Sequence, residues 1–385
     1  MKTKALSVFF AVAFVFILLA PFLFTKFSGW EVSEWEHRVL AWFPSPRRAI
    51  DDPKAFIEEF DAWFSDHVGF REKSAGFYRK LMHLTKSVHF QEGSYIVLIG
   101  KDGYCYSGGA ISDFGESGNQ SGLFLSEGEL QSLAQRLLAV KRYLDERGIP
   151  LIVVFCARKE DIYPEYYPKS IMRRPEPAQL DVVTEFVKSH TYIDMFNTKE
   201  CLLQAKASYQ VFDKDGNQSM LTHYNEIGAF FAYQELMKHI QIYMPEIKAF
   251  SLEDVEITYA DLGIHRNIPD VCLKQDTTFS RLGGDVFDAV PLLVLNSGVA
   301  FENNDVSLPT ILLMRDSYAG NGSTYWCKYL PQHFGRTIMI HHRNTENLDS
   351  YVTYFKPDIV VFELSKGQLK GFSDYVAGSH DMEQF

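Results

Sequence analysis

Cysteine pairs and positive charge are both scarce in this sequence, and each shortage argues against a class of function. The five cysteines, none of them in a C-x-x-C pair, are Cys105, Cys156, Cys201, Cys272 and Cys327. Without that spacing the cysteines predict no metal site. Lys and Arg number 38 against 49 Asp and Glu, which leaves a formal net charge of -11. Because a nucleic-acid-binding protein needs a basic surface to neutralise phosphates, this balance argues against a nucleic-acid partner.

The chain does have one long apolar run, residues 5–24, directly after Lys2 and Lys4. The run is long enough to cross a bilayer. It ends at residues 21–25 without an A-x-A cleavage site, so a retained anchor is favoured over a cleaved signal peptide. Because lysines mark the cytoplasmic side, we predict a transmembrane signal anchor over residues 1–28 of a single-pass inner-membrane protein. The rest of the chain would lie on the periplasmic or extracytoplasmic side, and a cleaved signal peptide, the alternative, would leave that compartment unchanged.

Residues 29–90 are predicted to form a helical membrane-proximal segment. Asp51, Asp52 and Pro53 indicate a helix start, because an acidic cap and a proline in the first turn suit that position. Aromatic side chains then recur at helical spacing, and we expect this helix to bury an aromatic face. These side chains are Phe56, Phe60, Trp63 and Phe64.

Residues 91–385 have the pattern of an α/β domain. Residues 94–104 are predicted to form a β-hairpin, because two strand-like runs flank a glycine turn. Ser126 and Glu129 predict a helix-capping box. The continuous apolar run Leu151 to Cys156 is typical of a strand buried on both faces. Strands that alternate with helices in this way imply a parallel sheet with right-handed crossovers.

The helical period disappears between about residues 245 and 308. Short β-branched and aromatic runs there alternate with Gly, Asn and Asp, which suggests an inserted irregular or β-rich subdomain. The regular alternation then returns. We expect further helices near 323–330 and 345–355.

Ser317 stands where a short apolar strand, from Ile311, breaks off into a turn that contains Gly320. A serine at such a break can present its hydroxyl above the edge of a parallel sheet. If a helix follows, backbone N–H groups at its start can stabilise an oxyanion. The alternative is that Asp316 and Ser317 are ordinary turn and capping residues.

Ligands of open parallel sheets bind outside the carboxyl ends of the strands. Besides Ser317, the polar residues at those ends are Arg158, Lys159, His341, His342, Arg343 and Glu363. A serine needs a base to become a good nucleophile, and His223, in the loop before a predicted helix, could supply one. A carboxylate on the other ring nitrogen would fix the tautomer. Because adjacent histidines at a strand end point in opposite directions, His341 and His342 predict no shared metal site.

Several short motifs then resemble one family in order along the chain. They are Glu36-His37-Arg38 with Phe43-Pro44, Asp66-His67 through Phe70-Arg71, Gly100-Lys101-Asp102-Gly103-Tyr104, Lys159-Glu160-Asp161-Ile162-Tyr163-Pro164-Glu165, Thr222-His223-Tyr224-Asn225 with Gly228-Ala229, Asp316-Ser317-Tyr318, and Lys356-Pro357-Asp358-Ile359-Val360 with Glu363. In this combination the chain resembles the SGNH-hydrolase-like O-acetyltransferases of exopolysaccharide modification, the AlgJ/AlgX alginate acetyltransferase group. The resemblance implies a three-layer SGNH-hydrolase-like fold, Ser317 as nucleophile and His223 as base.

The chain departs from this family at one position. The family's triad aspartate stands two residues before the histidine, where this chain has Leu221. Three alternatives follow: Asp213 or Asp215 replaces the missing carboxylate, His223 works in a dyad, or the site is degenerate. A missing carboxylate lowers the rate by orders of magnitude without abolishing catalysis.

We therefore expect a membrane-anchored enzyme that transfers acetyl groups to an exported or cell-surface polysaccharide. The resemblance implies that a multipass membrane acyltransferase supplies the acetyl group, and no cofactor or metal is predicted. The residues expected around the substrate or oxyanion are Lys159, Tyr163, Tyr318, His341 and Arg343. An acetyl-ester hydrolase would use the same residues with water as acceptor, and the leucine at position 221 leaves a glycan-binding scaffold as a third hypothesis.

Overall fold

The structure is a computed structural model of the chain. It describes residues 10, 14–16, 32–33, 38–39, 41–69, 89–92, 95–108, 125–168, 178–216, 220–262, 265–275, 278–290, 298–320, 324–369 and 372. The chain divides into two compact units, Met1–Ser87 and Val88–Phe385. No helix within the described residues is both long and apolar enough to cross a membrane. Most of the predicted anchor, residues 1–28, lies outside the described residues.

Two short strands and two helices of the first unit have fully described bounds. They are β1 (Val32–Ser33) and β2 (Arg38–Val39), which pair antiparallel, and α1 (Arg48–Asp51) and α2 (Pro53–His67). The predicted helix start is confirmed, because the Asp52 side chain accepts a hydrogen bond from the N–H of Ala55 at 3.1 Å. The aromatic face is less buried than expected. Of its four rings only that of Trp63 is buried, and it packs against Phe43 and Phe60.

The second unit begins with a three-stranded antiparallel sheet. Its strands are β3 (His89–Glu92), β4 (Tyr95–Ile99) and β5 (Cys105–Ser107). The predicted hairpin is confirmed as β4 and β5. Its turn places Asp102 and Gly103 in the left-handed region, with φ values of 54° and 80°, where glycine has no steric cost.

A seven-stranded central sheet forms the body of this unit. Its strands are β6 (Leu151–Cys156), β7 (Asp194–Asn197), β10 (Phe279–Arg281), β11 (Gly298–Asn303), β12 (Thr310–Arg315), β13 (Arg336–His341) and β14 (Ile359–Ser365), in the spatial order β10-β11-β13-β12-β14-β6-β7. The five strands from β13 to β7 are parallel. Every residue of β6 and β14 is buried, as the continuous apolar run of β6 predicts.

The edge beyond β13 differs from the expected parallel sheet. There β11 pairs antiparallel with β13, and β10 pairs antiparallel with β11. Both strands come from the stretch 245–308, whose first half forms a separate antiparallel pair, β8 (Val255–Leu262) and β9 (His265–Leu273). The second half of this β-rich stretch therefore extends the central sheet and covers an edge of β13 that would otherwise be unpaired.

The described helices of the second unit lie between these strands in the sequence. They are α3 (Glu127–Asp145), α4 (Lys159–Ile162), α5 (Gln179–His190), α6 (Lys199–Lys206), α7 (Glu226–Tyr243) and α8 (Leu348–Phe355). The predicted capping box of Ser126 and Glu129 is confirmed at the start of α3. The described part of the helix expected near 323–330 consists of two short 3-10 turns, Tyr325–Lys328 and Leu330–Gln332. Tyr325, within this stretch, has a φ of 51°, which an α-helix does not allow.

Candidate active site

Ser317 lies in a 3-10 turn, Ser317–Ala319, that follows β12 after one residue, Asp316. Its side chain is exposed, whereas those of Asp316 and Tyr318 are buried. Gly320 closes the turn with a φ of 98°, and a Cβ at this position would lie 2.3 Å from the carbonyl oxygen of Thr324. Only glycine fits this backbone without strain. The turn therefore presents the serine hydroxyl at the carboxyl edge of the sheet.

The amides of this turn are hydrogen-bonded by two carboxyl groups. Oε2 of Glu363 accepts from the N–H groups of Asp316 at 3.0 Å and of Ala319 at 3.2 Å. Oδ1 of Asp316 accepts from the N–H of Tyr318 at 2.8 Å. Among the described residues, the N–H of Ser317 has no acceptor. We expected several N–H groups at the start of a helix to face an oxyanion. In this turn the N–H of Ser317 is the one that can donate to it among the described residues.

His223 lies against the serine although the two are far apart in sequence. Its Nε2 is 2.7 Å from Oγ of Ser317, and its Nδ1 is 2.8 Å from the hydroxyl oxygen of Thr222. When Nε2 accepts the serine proton, Nδ1 carries its own proton and donates to Thr222. The threonine hydroxyl therefore stabilises the tautomer that a general base requires.

Two tyrosines stabilise the position of His223, Tyr318 by direct contact and Tyr224 through Tyr318. The ring of Tyr318 stacks on that of His223, with centroids 4.3 Å apart and planes inclined by 28°. The hydroxyl of Tyr318 donates to the carbonyl oxygen of Thr222 at 2.6 Å, and the hydroxyl of Tyr224 donates to the carbonyl oxygen of Tyr318 at 2.6 Å. These bonds connect the loop of the base to the turn of the serine in both directions.

Leu221, where the resembled family has its triad aspartate, is completely buried. Asp213 accepts a hydrogen bond at 3.1 Å from the side-chain amide of Asn225, which itself caps α7. Burial raises the pKa of Asp213. Oδ1 of Asp215 accepts from the N–H of Gly216 at 2.8 Å. Asp213 thus supports the start of the helix that follows His223. That Asp213 or Asp215 replaces the family's triad carboxylate stays a prediction.

Lys159 and Tyr163 were expected near the substrate, but the structure places them behind the loop that contains Asp213. The Lys159 ammonium is completely buried and donates to the carbonyl oxygens of Cys105 at 3.0 Å and Lys214 at 3.5 Å. Burial lowers its pKa to about 8, an effect that Asp213 partly offsets. The hydroxyl of Tyr163 accepts from the N–H of Val211 at 3.2 Å. Both side chains are buried, and these partners hold the loop in place.

His341 and Arg343 lie at the end of β13, next to the strand that leads to the serine. Arg315, the last residue of β12, is the register partner of His341. Burial lowers the pKa of His341, and the neighbouring Arg315 and Arg343 lower it further. Burial also lowers the pKa of His342, to about 4. Both imidazoles are therefore less readily protonated than usual.

Three residues of this arrangement were not among the predicted site residues: Thr222, Tyr224 and Arg315. Thr222 and Tyr224 flank His223 in one of the family motifs, yet their roles depend on side-chain directions that the motif does not specify. Arg315 is recognised only from the strand register. Within the described residues, no group of three or more His, Cys, Asp or Glu side chains is placed to hold a metal.

The family model of the SGNH hydrolase-like domain of the acetyltransferase AlgX matches residues 97–355 of the chain, more than half of its length. A comparison with curated protein sequences gives no match. This family match agrees with the resemblance inferred from the motifs.

Solved structures of three proteins are also similar. PatB1 of Bacillus cereus with a sulfonyl adduct is 15% identical with a TM-score of 0.52, over 72% of this chain and 99% of that one. A DHHW family protein from Eubacterium siraeum is 10% identical with a TM-score of 0.50, over 75% of this chain and 96% of that one. The O-acetyltransferase domain of Pseudomonas putida AlgJ is 17% identical with a TM-score of 0.44, over 75% of this chain and 95% of that one. At these identities the first two likenesses concern the fold alone.

Proposed function

This chain belongs to the SGNH hydrolase-like family of the acetyltransferase AlgX, and on that premise we propose that it transfers acetyl groups to hydroxyls of an exported or cell-surface polysaccharide. The observation that carries the proposal is the 2.7 Å contact between Nε2 of His223 and Oγ of Ser317. A base at hydrogen-bond distance is what a serine hydroxyl needs to become a nucleophile at neutral pH.

In the first half-reaction, His223 takes the proton of Ser317 as Oγ attacks the carbonyl carbon of an acetyl donor. The carbonyl oxygen becomes an oxyanion, to which the N–H of Ser317 donates. The tetrahedral intermediate then collapses, the bond to the leaving group breaks, and the imidazolium returns the proton to that leaving group. The product is an acetyl ester on Ser317.

In the second half-reaction, a sugar hydroxyl replaces the leaving group. His223 accepts the hydroxyl proton while the sugar oxygen attacks the acetyl carbon. The second tetrahedral intermediate expels Oγ of Ser317, which regains the proton from the imidazolium. The acetylated sugar leaves, and the enzyme is returned to its starting state. The exposed serine side chain is compatible with access by a polymer.

The cellular setting is part of the same proposal. The apolar run 5–24 after Lys2 and Lys4 supports a single-pass anchor with the enzyme domain outside the cytoplasm. A protein there has no direct access to cytoplasmic acetyl donors. We therefore propose a multipass membrane acyltransferase as the partner that supplies the acetyl group, as the family resemblance implies.

A second candidate function is acetyl-ester hydrolysis. The exposure of Ser317 favours it, because water can reach the acyl group when no sugar is bound. The contact between Ser317 and His223 favours either enzyme over a glycan-binding scaffold, which needs no paired nucleophile and base.

The test uses the full-length chain in detergent micelles with 4-nitrophenyl acetate as donor. We expect release of 4-nitrophenol and a one-acetyl increase in intact mass, located on Ser317 by peptide mapping. Ser317→Ala should abolish both, and the exposed Ser280→Ala control should keep both. Adding an oligosaccharide should divert acetyl groups from acetate to the sugar. Release of acetate alone would support the esterase, and absence of turnover and mass increase in the unmutated chain would support the scaffold.

A further inference from the structure

Glu363 is a completely buried acid directly beneath the turn that carries Ser317. It belongs to β14, the strand that pairs with β12 on one side and β6 on the other. We infer that Glu363 acts as a neutral carboxylic acid and is a positioning residue for Ser317, in that it fixes the turn amides so that the Ser317 N–H is directed at the reacting carbonyl. This inference rests on the proposed function of Ser317.

The contacts of Glu363 include both sides of the serine. A single oxygen, Oε2, accepts from the N–H of Asp316, one residue before Ser317, and from the N–H of Ala319, two residues after it. Asp316 makes the reverse connection, because its Oδ2 accepts from the N–H of Ser365 at 2.6 Å, at the end of β14. The ends of the two strands are therefore joined by reciprocal hydrogen bonds: Glu363 of β14 binds the turn after β12, and Asp316 in that turn region binds the end of β14.

These hydrogen bonds determine which N–H group of the turn can still donate to an oxyanion. The N–H groups of Asp316, Tyr318 and Ala319 are all taken by Glu363 or Asp316. Among the described residues, that of Ser317 has no acceptor. An oxyanion donor is effective when it is held in place before the reaction and is not already bonded to the protein. The two carboxyl groups therefore fix the orientation of the donor without competing for it.

The surroundings of Glu363 favour its neutral form. Asp316 in the turn, the Cys156 thiol of β6 and the Tyr224 hydroxyl all interact with Glu363, and none of the three is a cation. Burial raises the pKa of Glu363 well above its usual value, and Asp316 raises it further, although the hydrogen bond of Cys156 lowers the pKa of Glu363. Oε1 has no hydrogen-bond partner among the described residues, and a buried carboxyl oxygen without a donor disfavours the ionised form.

A neutral acid also suits the reaction. Negative charge develops on the substrate carbonyl oxygen within reach of the turn. An ionised Glu363 beneath the turn would oppose this development of charge. A neutral carboxyl group can still accept from two amides through its carbonyl oxygen. Glutamine has nearly the same shape and keeps a carbonyl acceptor and a polar donor, whereas leucine has neither an acceptor nor a donor.

The experiment compares Glu363→Gln with Glu363→Leu in the full-length chain, with 4-nitrophenyl acetate as substrate. We expect Glu363→Gln to keep kcat within about threefold of the unmutated value, with an unchanged pH profile. Glu363→Leu should lower kcat by about 10²–10³-fold, the usual loss when an oxyanion donor is removed, with KM changed much less. A merely structural role would lower the folded fraction without this division between kcat and KM.

Infrared difference spectroscopy tests the protonation state without any need for turnover. The unmutated protein should show a protonated carboxyl band near neutral pH that Glu363→Gln lacks and the exposed Asp288→Asn control retains. Glu363→Leu should also accelerate hydrogen exchange at the amides of Asp316 and Ala319. If the unmutated chain is inactive but these results hold, the proposed function fails and the positioning role of Glu363 in the turn stands. The inference is overturned if no carboxyl band is lost, or if Glu363→Gln is as slow as Glu363→Leu.

Discussion

Tyr318 stacks on the imidazole of His223 and at the same time donates its hydroxyl to the carbonyl oxygen of Thr222, the residue before that histidine. One side chain therefore fixes both the plane of the base and the backbone that carries it. Because Tyr318 directly follows Ser317, this contact couples the position of the proposed nucleophile, Ser317, to that of the proposed base, His223.

Replacing Tyr318 by phenylalanine tests this coupling. The variant keeps the stacked ring but leaves the Thr222 carbonyl oxygen without its tyrosine donor. We expect a loss of about 1–2 kcal/mol in the free energy of unfolding and a roughly fivefold to tenfold lower kcat, about the same energy at the transition state. Urea unfolding and 4-nitrophenyl acetate kinetics give the two values. Tyr354→Phe, at an exposed position, is the control, and equal kinetics for both variants would refute the coupling.

The hydroxyl of Thr222 should matter because it contacts Nδ1 of His223. Thr222→Val keeps the shape and removes the acceptor, so the required tautomer loses this hydrogen bond. We expect kcat/KM to fall roughly tenfold, the effect of about 1.4 kcal/mol. Thr222→Ser keeps a hydroxyl and should stay within about threefold of the unmutated enzyme by the same conversion. If valine and serine give the same rate, the threonine hydroxyl does not support the base.

Gly320 should tolerate no side chain. Its φ of 98° opposes any substitution, and so does the carbonyl oxygen of Thr324, which would lie 2.3 Å from an added Cβ. Gly320→Ala should lower the free energy of unfolding by about 1–3 kcal/mol, the cost of a backbone region that is essentially restricted to glycine, and should reduce acetylation of Ser317. Gly128→Ala, in the first turn of α3 with open space around its Cα, should raise stability by about 0.5 kcal/mol. A stable, active Gly320→Ala variant would contradict the turn geometry.

Lys159 should make stability depend on pH. Burial lowers its pKa to about 8 in the folded chain, against an ordinary value of 10.5. Between these pH values the unfolded state binds more protons, so the free energy of unfolding rises with pH, by up to about 1.4 kcal/mol per unit. Urea unfolding at several pH values from about 7.5 to 9.5, which bracket the lower part of this window, should show this increment in the unmutated chain and in the exposed Lys248→Met control. Lys159→Met should lack it, and a retained increment would mean that another group titrates.

The local elements could be predicted from sequence because the forces that form them act over a few residues. The capping box of Ser126 and Glu129 is one case, and the buried run Leu151–Cys156 is another. The break after β12 at Ser317 was also predicted, since an apolar run followed by a glycine turn has few other conformations. The antiparallel β11 was not, because strand direction in a sheet depends on partners distant in sequence.

Sequence by itself determined which residues could do the chemistry: a serine at a strand end, a histidine before a helix, and a leucine where the related family has an aspartate. Tertiary structure alone decided what these residues touch. It brings Ser317 to 2.7 Å from His223, places the Thr222 hydroxyl at the second ring nitrogen, and encloses Lys159 away from the site. The physical reason is that spacing and periodicity report the direction of nearby side chains, whereas contacts between distant segments follow from sheet order, register and burial.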